Sequence, residues 1–480
     1  MESSQLSAGV AKVDITNYDA GPVNDPLYVK ALVLKEASTT AVIATVDAVA
    51  IAEIGSIKNE YLANVRAQLR EDPGIEADNV VINASHCHGT VCTDVEQRTV
   101  QAVRKARQSM VPVTVGVGVG HEDRIMENRR LRLKDGREAD VRHAYSLPPD
   151  QEVAAVGPVD PEIGILRLGK QDGGPLAVVY NFACHPIQGV PSGGNTADMV
   201  GFASKVIEDN LGDGAVALFL QGCAGDINPV LYKDVDSPHN AEPLGNMLGL
   251  SVLQGLKEIE CADGAALTVI NEPLVLPRAD LAPHIEALQA EQQRLLQSLK
   301  GTTLNLKQFL ALTAKYGLSP EFPSQASHRY LRDDAMGRDD WRRLDAQNRS
   351  HMERYRENIH TMEQLTRTQV NLRLLKMHHA QNEAAGTETL DVEVVGLRIG
   401  DFVLITFPGE LSVQIGLNIK KASPHRFTFV AGITNGYIYY APTAAQLRNR
   451  GGAQEDSDCL LAPEWQEMFE ERARDLLGRL

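Results

Sequence analysis

The chain has 480 residues, of which 43% are apolar and 23% charged, which is ordinary usage for a globular protein. This length exceeds the usual limit of one hydrophobic core, so we expect two structural units or one elaborated domain. The formal net charge of −16 argues against nucleic acid or an anionic membrane as a partner, because both recruit basic surfaces. No apolar run reaches the roughly 20 residues that span a bilayer, and the first residues lack a signal-peptide pattern, so we expect a cytoplasmic protein.

Strand-like and helix-like stretches alternate from the N-terminus to about residue 274, which indicates an α/β core. Apolar runs rich in β-branched residues predict strands at 41–46, 79–83, 113–119, 164–168, 176–182 and 216–221. Periodic apolar residues predict helices at 56–70, 95–109 and 200–211.

The composition changes at about residue 275, after which Glu, Gln, Arg, Lys and Leu dominate. A helix is expected at about 283–299, and a second amphipathic helix is indicated by the spacing of Met352, Tyr355, Ile359 and Met362. Strands resume later, at 390–398, 402–407 and 427–432.

We therefore predict an α/β fold whose layered mixed-sheet core is discontinuous in sequence. Residues 1–274 and 386–480 form the core, and residues 275–385 form a helical insertion. The insertion either packs on the core as a solvated element or serves as a lid or a homo-oligomer interface.

Three short segments each end an apolar run with a side chain that can bind a metal. They are Asn-Ala-Ser-His-Cys-His at 83–88, Asn-Phe-Ala-Cys-His-Pro at 181–186 and Phe-Pro-Gly-Glu at 407–410. Strand ends are where α/β proteins place their chemistry, because the backbone is rigid and the side chains project into a shared crevice. Histidines and a carboxylate arriving in this way are typical of a catalytic zinc site, which keeps one position open for water.

The two histidines of the His-x-His pair, His86 and His88, are expected to have different roles. On a regular strand the two side chains lie on one face roughly 6.6–7 Å apart, so both cannot easily bind one ion unless a bulge or turn intervenes. We expect one of them to be a ligand and the other to face the substrate.

Two further segments carry polar groups near apolar strands. In Phe-Leu-Gln-Gly-Cys-Ala-Gly-Asp-Ile-Asn-Pro, at 219–229, a glycine-bearing turn could aim backbone N–H groups at a developing oxyanion. Asp226 and Asn228 are the polar side chains of this turn, and turn capping is their alternative role. The second segment, Thr-Asn-Gly-Tyr-Ile-Tyr-Tyr-Ala-Pro-Thr at 434–443, crowds three tyrosines into a turn.

Together these motifs resemble the neutral, non-lysosomal ceramidases and their bacterial relatives. The match also includes Ala-Gly-Val-Ala-Lys-Val-Asp-Ile-Thr at 8–16 and the pair Asn128-Arg129, and all the motifs occur in the family's order. The resemblance implies a hydrolase of linear amides with a zinc ion held by two histidines, a glutamate and a tyrosine, here His86, His185, Glu410 and Tyr440. It also implies that His88 and Arg129 face the substrate carbonyl.

Two positions depart from the family. Asn228 stands where the family carries a serine, and the second active-site tyrosine, expected near 452–453, is replaced within Gly451-Gly452-Ala453. We therefore expect the scaffold and the metal to be shared and the substrate to be a smaller, more polar molecule than a long-chain ceramide.

The leading hypothesis is a zinc-dependent hydrolase of an amide or ester bond in a small-molecule substrate, because zinc lowers the pKa of a bound water to about 7. Arg129 or His88 would help the zinc ion to stabilise the oxyanion, and His88 or Asp226 would transfer the proton to the leaving group. Asn228 would donate a hydrogen bond to the substrate. Two alternatives are a lyase or isomerase that uses zinc as a Lewis acid on a sugar or polar metabolite, and a non-catalytic zinc-containing binding protein.

Overall fold

The computed structural model describes residues 5–141, 147–189, 194–230, 232, 239–449 and 451–480. Its strands are β1 Ser7–Asp14, β2 Tyr28–Glu36, β3 Thr39–Val46, β4 Val80–Ala84, β5 Val111–His121, β6 Met126–Asn128, β7 Arg130–Leu133, β8 Glu138–Asp140, β9 Val153–Val156, β10 Glu162–Lys170, β11 Pro175–Phe182, β12 Val216–Gln221, β13 Ile227–Pro229, β14 Leu267–Pro277, β15 Thr389–Ile399, β16 Phe402–Thr406, β17 Glu410–Leu411, β18 Phe427–Ala431 and β19 Tyr440–Ala441.

The helices follow the same chain order. They are α1 Tyr61–Glu71, α2 Val95–Gln108, α3 Asp198–Leu211, α4 Glu242–Leu256, α5 Ala282–Ser298, α6 Leu306–Leu318, α7 His328–Ala335, α8 Asp340–Ala385, α9 Val413–Ala422, α10 Ala444–Leu447, α11 Gln454–Ser457 and α12 Trp465–Arg479.

The largest sheet has eight strands in the order β12-β11-β10-β5-β1-β2-β3-β4, with parallel and antiparallel pairs. Its two halves are joined by only two residue pairs, between β1 and β5, so the sheet bends sharply there. The outer strands β12 and β4 come back together, where the Gln221 amide donates to Asn83 Oδ1 at 3.0 Å. A second sheet has four strands in the order β14-β15-β16-β18. The fold is therefore a mixed-sheet α/β fold, as the sequence predicts.

Three four-stranded units surround one central apolar core, because side chains alternate between the two faces of a strand. In β2, Leu32 and Leu34 enter the central core, whereas Val33 packs outward against α1 and α2. The unit of β5 and β10–β12 is covered outside by α3 and α4. The unit of β14–β16 and β18 is covered by α9 and α12. The strand ends of all three units consequently meet at one end of the core.

The helical segment emerges from a hairpin of the second sheet. β14 and β15 pair antiparallel from Leu267 and Ile399 to Pro277 and Thr389, and α5–α8 lie between the two strands in the sequence. The core is thus discontinuous in sequence, while the predicted boundaries of the insertion at residues 275 and 385 stay a prediction. Five residues form a small apolar core at its base: Ala279, Leu281, Ile285, Leu372 and Leu375.

The predicted apolar face of the long helix α8 is only partly covered. Met352 is buried, but Ile359 is 38% exposed and Met362 is 54% exposed. The amphipathic pattern therefore identifies the helix correctly and overstates how much of its apolar face is packed. Among the residues that the structure describes, no helix is both long enough and apolar enough to cross a membrane.

All the strands and helices predicted from periodicity are present, and the largest error is the start of α1, predicted at residue 56 and found at Tyr61. The sequence did not predict α4, because its glycines weaken the helical pattern. Those glycines serve packing: a Cβ at Gly245 would lie 2.5 Å from the Met199 carbonyl oxygen, and one at Gly249 would lie 2.8 Å from Val206 Cβ. Strand β2 was missed too, since it contains the buried Lys30, which donates to the Ala217 carbonyl at 2.8 Å.

The contact between the two sheets gives a test of the packing. A Cβ added to Gly164 in β10 would lie 2.4 Å from the ring of Phe429 in β18. We expect Gly164→Ala to lower the free energy of unfolding by about 1–3 kcal/mol, because the overpacked core must shift. Gly174→Ala is the control, since its nearest neighbour lies 3.6 Å away, and its effect should be below about 1 kcal/mol. Equal denaturant midpoints for the two variants would contradict this packing.

Candidate metal centre

His86 lies just beyond the end of β4 and is buried. Its backbone has a φ of +68°, a left-handed conformation that is uncommon for a residue with a Cβ. The chain thus turns between the end of β4 and His86, which is the alternative that the sequence left open, so the spacing of a regular strand does not apply to His86 and His88. The ring Nδ1 lies 2.6 Å from the Val49 carbonyl oxygen, which places the proton on Nδ1 and the lone pair on Nε2.

His185 lies three residues beyond β11, in the loop that the following proline predicts. Its Nδ1 lies 2.5 Å from the Ala224 carbonyl oxygen and 3.1 Å from that of Ile227, which again leaves the lone pair on Nε2. Burial, together with the positive charge of Arg129, lowers the pKa of His185 to about 4. The imidazole is therefore neutral at pH 7, which is the form that binds metals.

Glu410 completes the group from the segment that follows β16 of the second sheet, at the start of the short strand β17. Its Oε2 lies 2.9 Å from His185 Nε2 and 3.3 Å from His86 Nε2. Its other oxygen, Oε1, accepts a hydrogen bond of 2.5 Å from the hydroxyl of Tyr437. Burial and the Glu410 carboxylate keep the pKa of Tyr437 well above its ordinary value, so its hydroxyl stays a donor.

These contacts bring three ligand atoms, His86 Nε2, His185 Nε2 and a Glu410 oxygen, within 4.8 Å of one another. With both histidine protons on Nδ1, no hydrogen lies between the two nitrogen lone pairs and the carboxylate. Three converging acceptors repel one another, and a cation removes that repulsion. The ligand atoms of a tetrahedral zinc ion lie roughly 3.3 Å apart, given bonds of about 2.0–2.2 Å. The residues present therefore fit a metal ion.

Tyr440, the fourth ligand that the resemblance implies, lies beside this group. It is buried, and it pairs with Glu410 across β17 and β19. Its ring stacks on that of His185 with the ring centres 6.4 Å apart, and the Arg129 guanidinium lies 5.6 Å from the centre of its ring. Tyr440 is thus placed next to the three ligand atoms, while its ligand role stays a prediction.

His88 lies at the edge of the group. Its ring centre is 5.6 Å from that of His86, and its side chain is exposed, whereas the three ligand residues are buried. The intervening Cys87 and the separate Cys184 are buried in apolar clusters, and burial raises the pKa of both thiols well above the ordinary value. Both cysteines therefore have the surroundings of packing residues.

Arg129 and Asn228 form one buried unit beside Tyr440. The Arg129 side chain is fully buried; it donates from Nη1 to Asn228 Oδ1 at 3.0 Å and from Nη2 to the Gly225 carbonyl. The first of these bonds fixes the orientation of the Asn228 amide, because only its oxygen can accept. The amide nitrogen is buried and has no hydrogen-bond partner among the described residues. The Asn228 amide nitrogen is thus a buried hydrogen-bond donor without a partner among the described residues.

Asp226 is buried and acts as a helix cap in this structure. Its Oδ1 accepts from the amide of Val413, the first residue of α9, at 2.8 Å, and its Oδ2 lies 3.4 Å from Asn128 Nδ2. Burial is the largest influence on this carboxyl and raises its pKa. Asp226 thus caps a helix that is distant in the sequence, whereas the sequence had left open a cap of its own turn, and its role in proton transfer stays a prediction.

Three residues of the site, Tyr437, Glu455 and Asp456, were not identified from the sequence. Tyr437 belongs to the Asn-Gly-Tyr-x-x-Tyr motif, so the motif contained the signal. Glu455 lies 2.5 Å from Arg129 Nε and is 1% exposed, and Asp456 pairs with Arg130. No local pattern predicts these pairs, because the partners are more than 300 residues apart in the sequence.

Gly452, which lies where the resemblance implies a tyrosine, has little space around its Cα atom. A Cβ at Gly452 would lie 2.4 Å from the Glu138 carbonyl oxygen and 2.5 Å from Asn449 Nδ2. The Gly452 carbonyl accepts a hydrogen bond of 2.5 Å from Arg367 of the helical insertion. This chain therefore has no space for a large side chain at residue 452.

Several residues of the site have left-handed backbone conformations. Besides His86, these are Ile433, Asn435 and Tyr439, with φ values of +50°, +57° and +64°. Such conformations cost of order 1–3 kcal/mol each and persist only where the surrounding structure holds them. Their concentration around Glu410 and Tyr440 supports a functional role for this region.

Two solved structures share this fold. The neutral ceramidase from Pseudomonas aeruginosa matches with a TM-score of 0.61 and 16% identity, over 100% of this chain and 75% of that one. A ceramidase complexed with C2 matches with a TM-score of 0.61 and 15% identity, over 99% of this chain and 76% of that one. No protein-family model and no curated protein matches the chain. The resemblance to the neutral ceramidases is therefore confirmed at the level of the fold.

The hydrogen bond to Glu410 gives a test of the centre. We expect Tyr437→Phe to weaken zinc binding about 10–100-fold, because the carboxylate loses the bond that orients it. Competition with a zinc chelator of known affinity measures this change. Tyr61→Phe is the control, since Tyr61 is also buried and hydrogen-bonded, to Thr99 at 2.7 Å, but lies on α1. Equal zinc affinities for the two variants would contradict an orienting role for Tyr437.

Proposed function

We propose that this protein is a zinc-dependent hydrolase that cleaves an amide or ester bond in a small, polar substrate. The observation that carries the proposal is the convergence of two histidine lone pairs and a carboxylate, each held by a further hydrogen bond. The ceramidase fold adds support, because the solved neighbours bear the name of an amide-cleaving enzyme.

In this proposal His86, His185 and Glu410 bind the metal, and Tyr440 is the fourth protein ligand. A zinc ion held by such a set lowers the pKa of a water molecule to about 7 and polarises a carbonyl group. The carbonyl oxygens that accept from the two Nδ1 atoms keep both rings in the ligand tautomer. The chain thus supplies a preorganised site rather than one assembled on binding.

His88 is the group that we assign to proton transfer. It is exposed at the edge of the buried ligands, so it can reach both the substrate and solvent. An imidazole can both accept and donate a proton, which suits a general acid or base. Asp226 is the weaker candidate, because its carboxylate already caps α9.

Asn228 is the group that we assign to a hydrogen bond with the substrate. Its amide nitrogen is buried and unpartnered among the described residues, and Arg129 fixes its direction. An unsatisfied buried donor costs about 1–3 kcal/mol, which a substrate oxygen would recover. Arg129 is itself fully buried, so in this proposal it affects the substrate by orienting the Asn228 amide and by its positive charge.

The polar nature of the substrate rests on the same kind of evidence. Gln188, three residues after His185, is fully buried, and neither amide atom has a partner among the described residues. Two unpartnered amides near the metal ligands favour a substrate with its own donors and acceptors. The backbone that surrounds Gly452 leaves no room for an additional aromatic ring at that position.

The two histidines of the His-x-His motif should fail in different ways when replaced. We expect His86→Ala to lose bound zinc, whereas His88→Ala keeps it and loses roughly 10²-fold or more in kcat, as removal of a general acid–base group does. Metal analysis and steady-state kinetics on each purified variant measure this difference. His121→Ala is the control, because His121 is 65% exposed and pairs with the exposed Asp123. Full zinc occupancy in His86→Ala would refute the ligand assignment, and an empty His88→Ala would reverse the two roles.

The substrate class is tested by comparing kcat/KM on ceramide in detergent with a panel of soluble N-acyl and O-acyl compounds. We expect higher values for soluble compounds, because the unpartnered groups of the site are polar. A kcat/KM on ceramide at or above about 10⁴ M⁻¹s⁻¹ would contradict the polar-substrate proposal. Zinc-dependent turnover of sugar derivatives without hydrolysis would instead favour the lyase or isomerase alternative, and zinc binding without any turnover would favour a binding protein.

A further inference from the structure

One face of the long helix α8 carries polar side chains that contact the segment 451–460. Arg367 donates to the Gly452 carbonyl at 2.5 Å, and Asn371 to the Gly451 carbonyl at 3.5 Å. Further along the helix, His378 Nε2 lies 2.6 Å from Asp458 Oδ1, and Asn382 donates to the Leu460 carbonyl at 3.3 Å. The spacings of four, seven and four residues place all four side chains on one stripe of the helix. The insertion is therefore joined to this segment by a polar seam.

His378 is the member of this stripe that is fully buried. Both ring nitrogens are engaged, since Nδ1 lies 2.8 Å from Gln381 Oε1 while Nε2 contacts Asp458. Gln381 in turn donates to the Tyr439 hydroxyl at 2.9 Å, and the His378 ring packs edge-on against the Tyr439 ring with centres 4.6 Å apart. A buried histidine thus joins α8 to both Asp458 and Tyr439.

These two partners hold the candidate metal ligands through the main chain. The Asp458 carbonyl accepts from the Tyr440 amide at 3.1 Å, and the Tyr439 carbonyl accepts from the Glu410 amide at 2.9 Å. Tyr439 also has a positive φ of 64°, a conformation that its surroundings must hold. One hydrogen-bonded path therefore runs from His378 through Asp458 to Tyr440. A second path runs from His378 through Gln381 and Tyr439 to Glu410.

We propose that His378 is a positioning residue of the metal centre, through which the helical insertion fixes the main chain of Tyr440 and Glu410. The inference rests on the proposed function in so far as these two residues are zinc ligands. It gives the insertion a specific role at the site, in addition to its packing on the core.

Two near-isosteric variants separate positioning from packing. Glutamine places its amide nitrogen near the position of histidine Nε2, which contacts Asp458, whereas asparagine reaches only the position of Nδ1. We expect His378→Asn to bind zinc about tenfold more weakly, the low end for residues that orient metal ligands, and His378→Gln to stay within about threefold of the parent. His379→Ala is the control on the same helix, because this neighbour is 34% exposed and contacts only the exposed Glu383 among the pairs observed.

Zinc affinity is measured by chelator competition, and hydrogen exchange of the Tyr440 amide is measured on the metal-free proteins. Faster exchange at Tyr440 in His378→Asn, with unchanged exchange in α2 and in His379→Ala, supports the proposal. Asp458→Ala removes the other partner of the His378–Asp458 contact but keeps the carbonyl group that accepts from the Tyr440 amide. It should therefore also weaken zinc binding and speed exchange at Tyr440. It also decides the question if His378→Asn does not fold.

Equal zinc affinities for His378→Asn and His378→Gln, or unchanged exchange at Tyr440 in both His378→Asn and Asp458→Ala, would overturn the inference. Failure of the parent protein to bind zinc would instead overturn the proposed function, and the exchange of the metal-free proteins would still decide whether His378 positions Tyr440. The two failures are therefore distinguishable.

Discussion

The structure of the site depends on a carboxylate that is withdrawn from water between two imidazoles. Glu410 is 4% exposed, and an isolated ionised carboxylate in such a place is strongly unfavourable. Tyr437 satisfies one of its oxygens, and the other faces the lone pairs of His86 and His185. A cation bound there would compensate all three acceptors at once, so the mutual repulsion of the acceptors favours metal binding.

The fold meets this requirement by bringing three sheet units to one point. β4, β11 and β16 belong to different units, and each is followed within four residues by one of the three candidate ligands. Because the larger sheet bends at its two-pair junction, its outer strands meet and His86 comes within reach of His185. The ligands are therefore fixed by the contacts of the main chain, which explains why their rings are oriented by carbonyl groups.

Much of this arrangement follows from local patterns, and the rest depends on contacts between distant segments. Apolar runs with β-branched residues locate nine of the twelve strands of the three units, missing β1, β2 and β14, and three strand ends predict the residues that converge. The left-handed turn at His86 escapes prediction, because no glycine marks it. The pairing of Arg129 with Glu455 and of His378 with Asp458 escapes too, since the partners are brought together only by the complete fold.

The two departures that the sequence resemblance implies, Asn228 and Gly452, lie outside the candidate ligand group of His86, His185 and Glu410. Asn228 is held by Arg129, which is held in turn by Glu455, so its amide is part of a buried network. At Gly452 the backbone of Glu138 and the side chain of Arg367 take the adjacent space. A single substitution to tyrosine there would displace a strand and an ion-pair network, because a Cβ alone already overlaps the Glu138 carbonyl. Both positions are thus held by several neighbouring groups at once, so neither residue can change to a larger one without moving its neighbours.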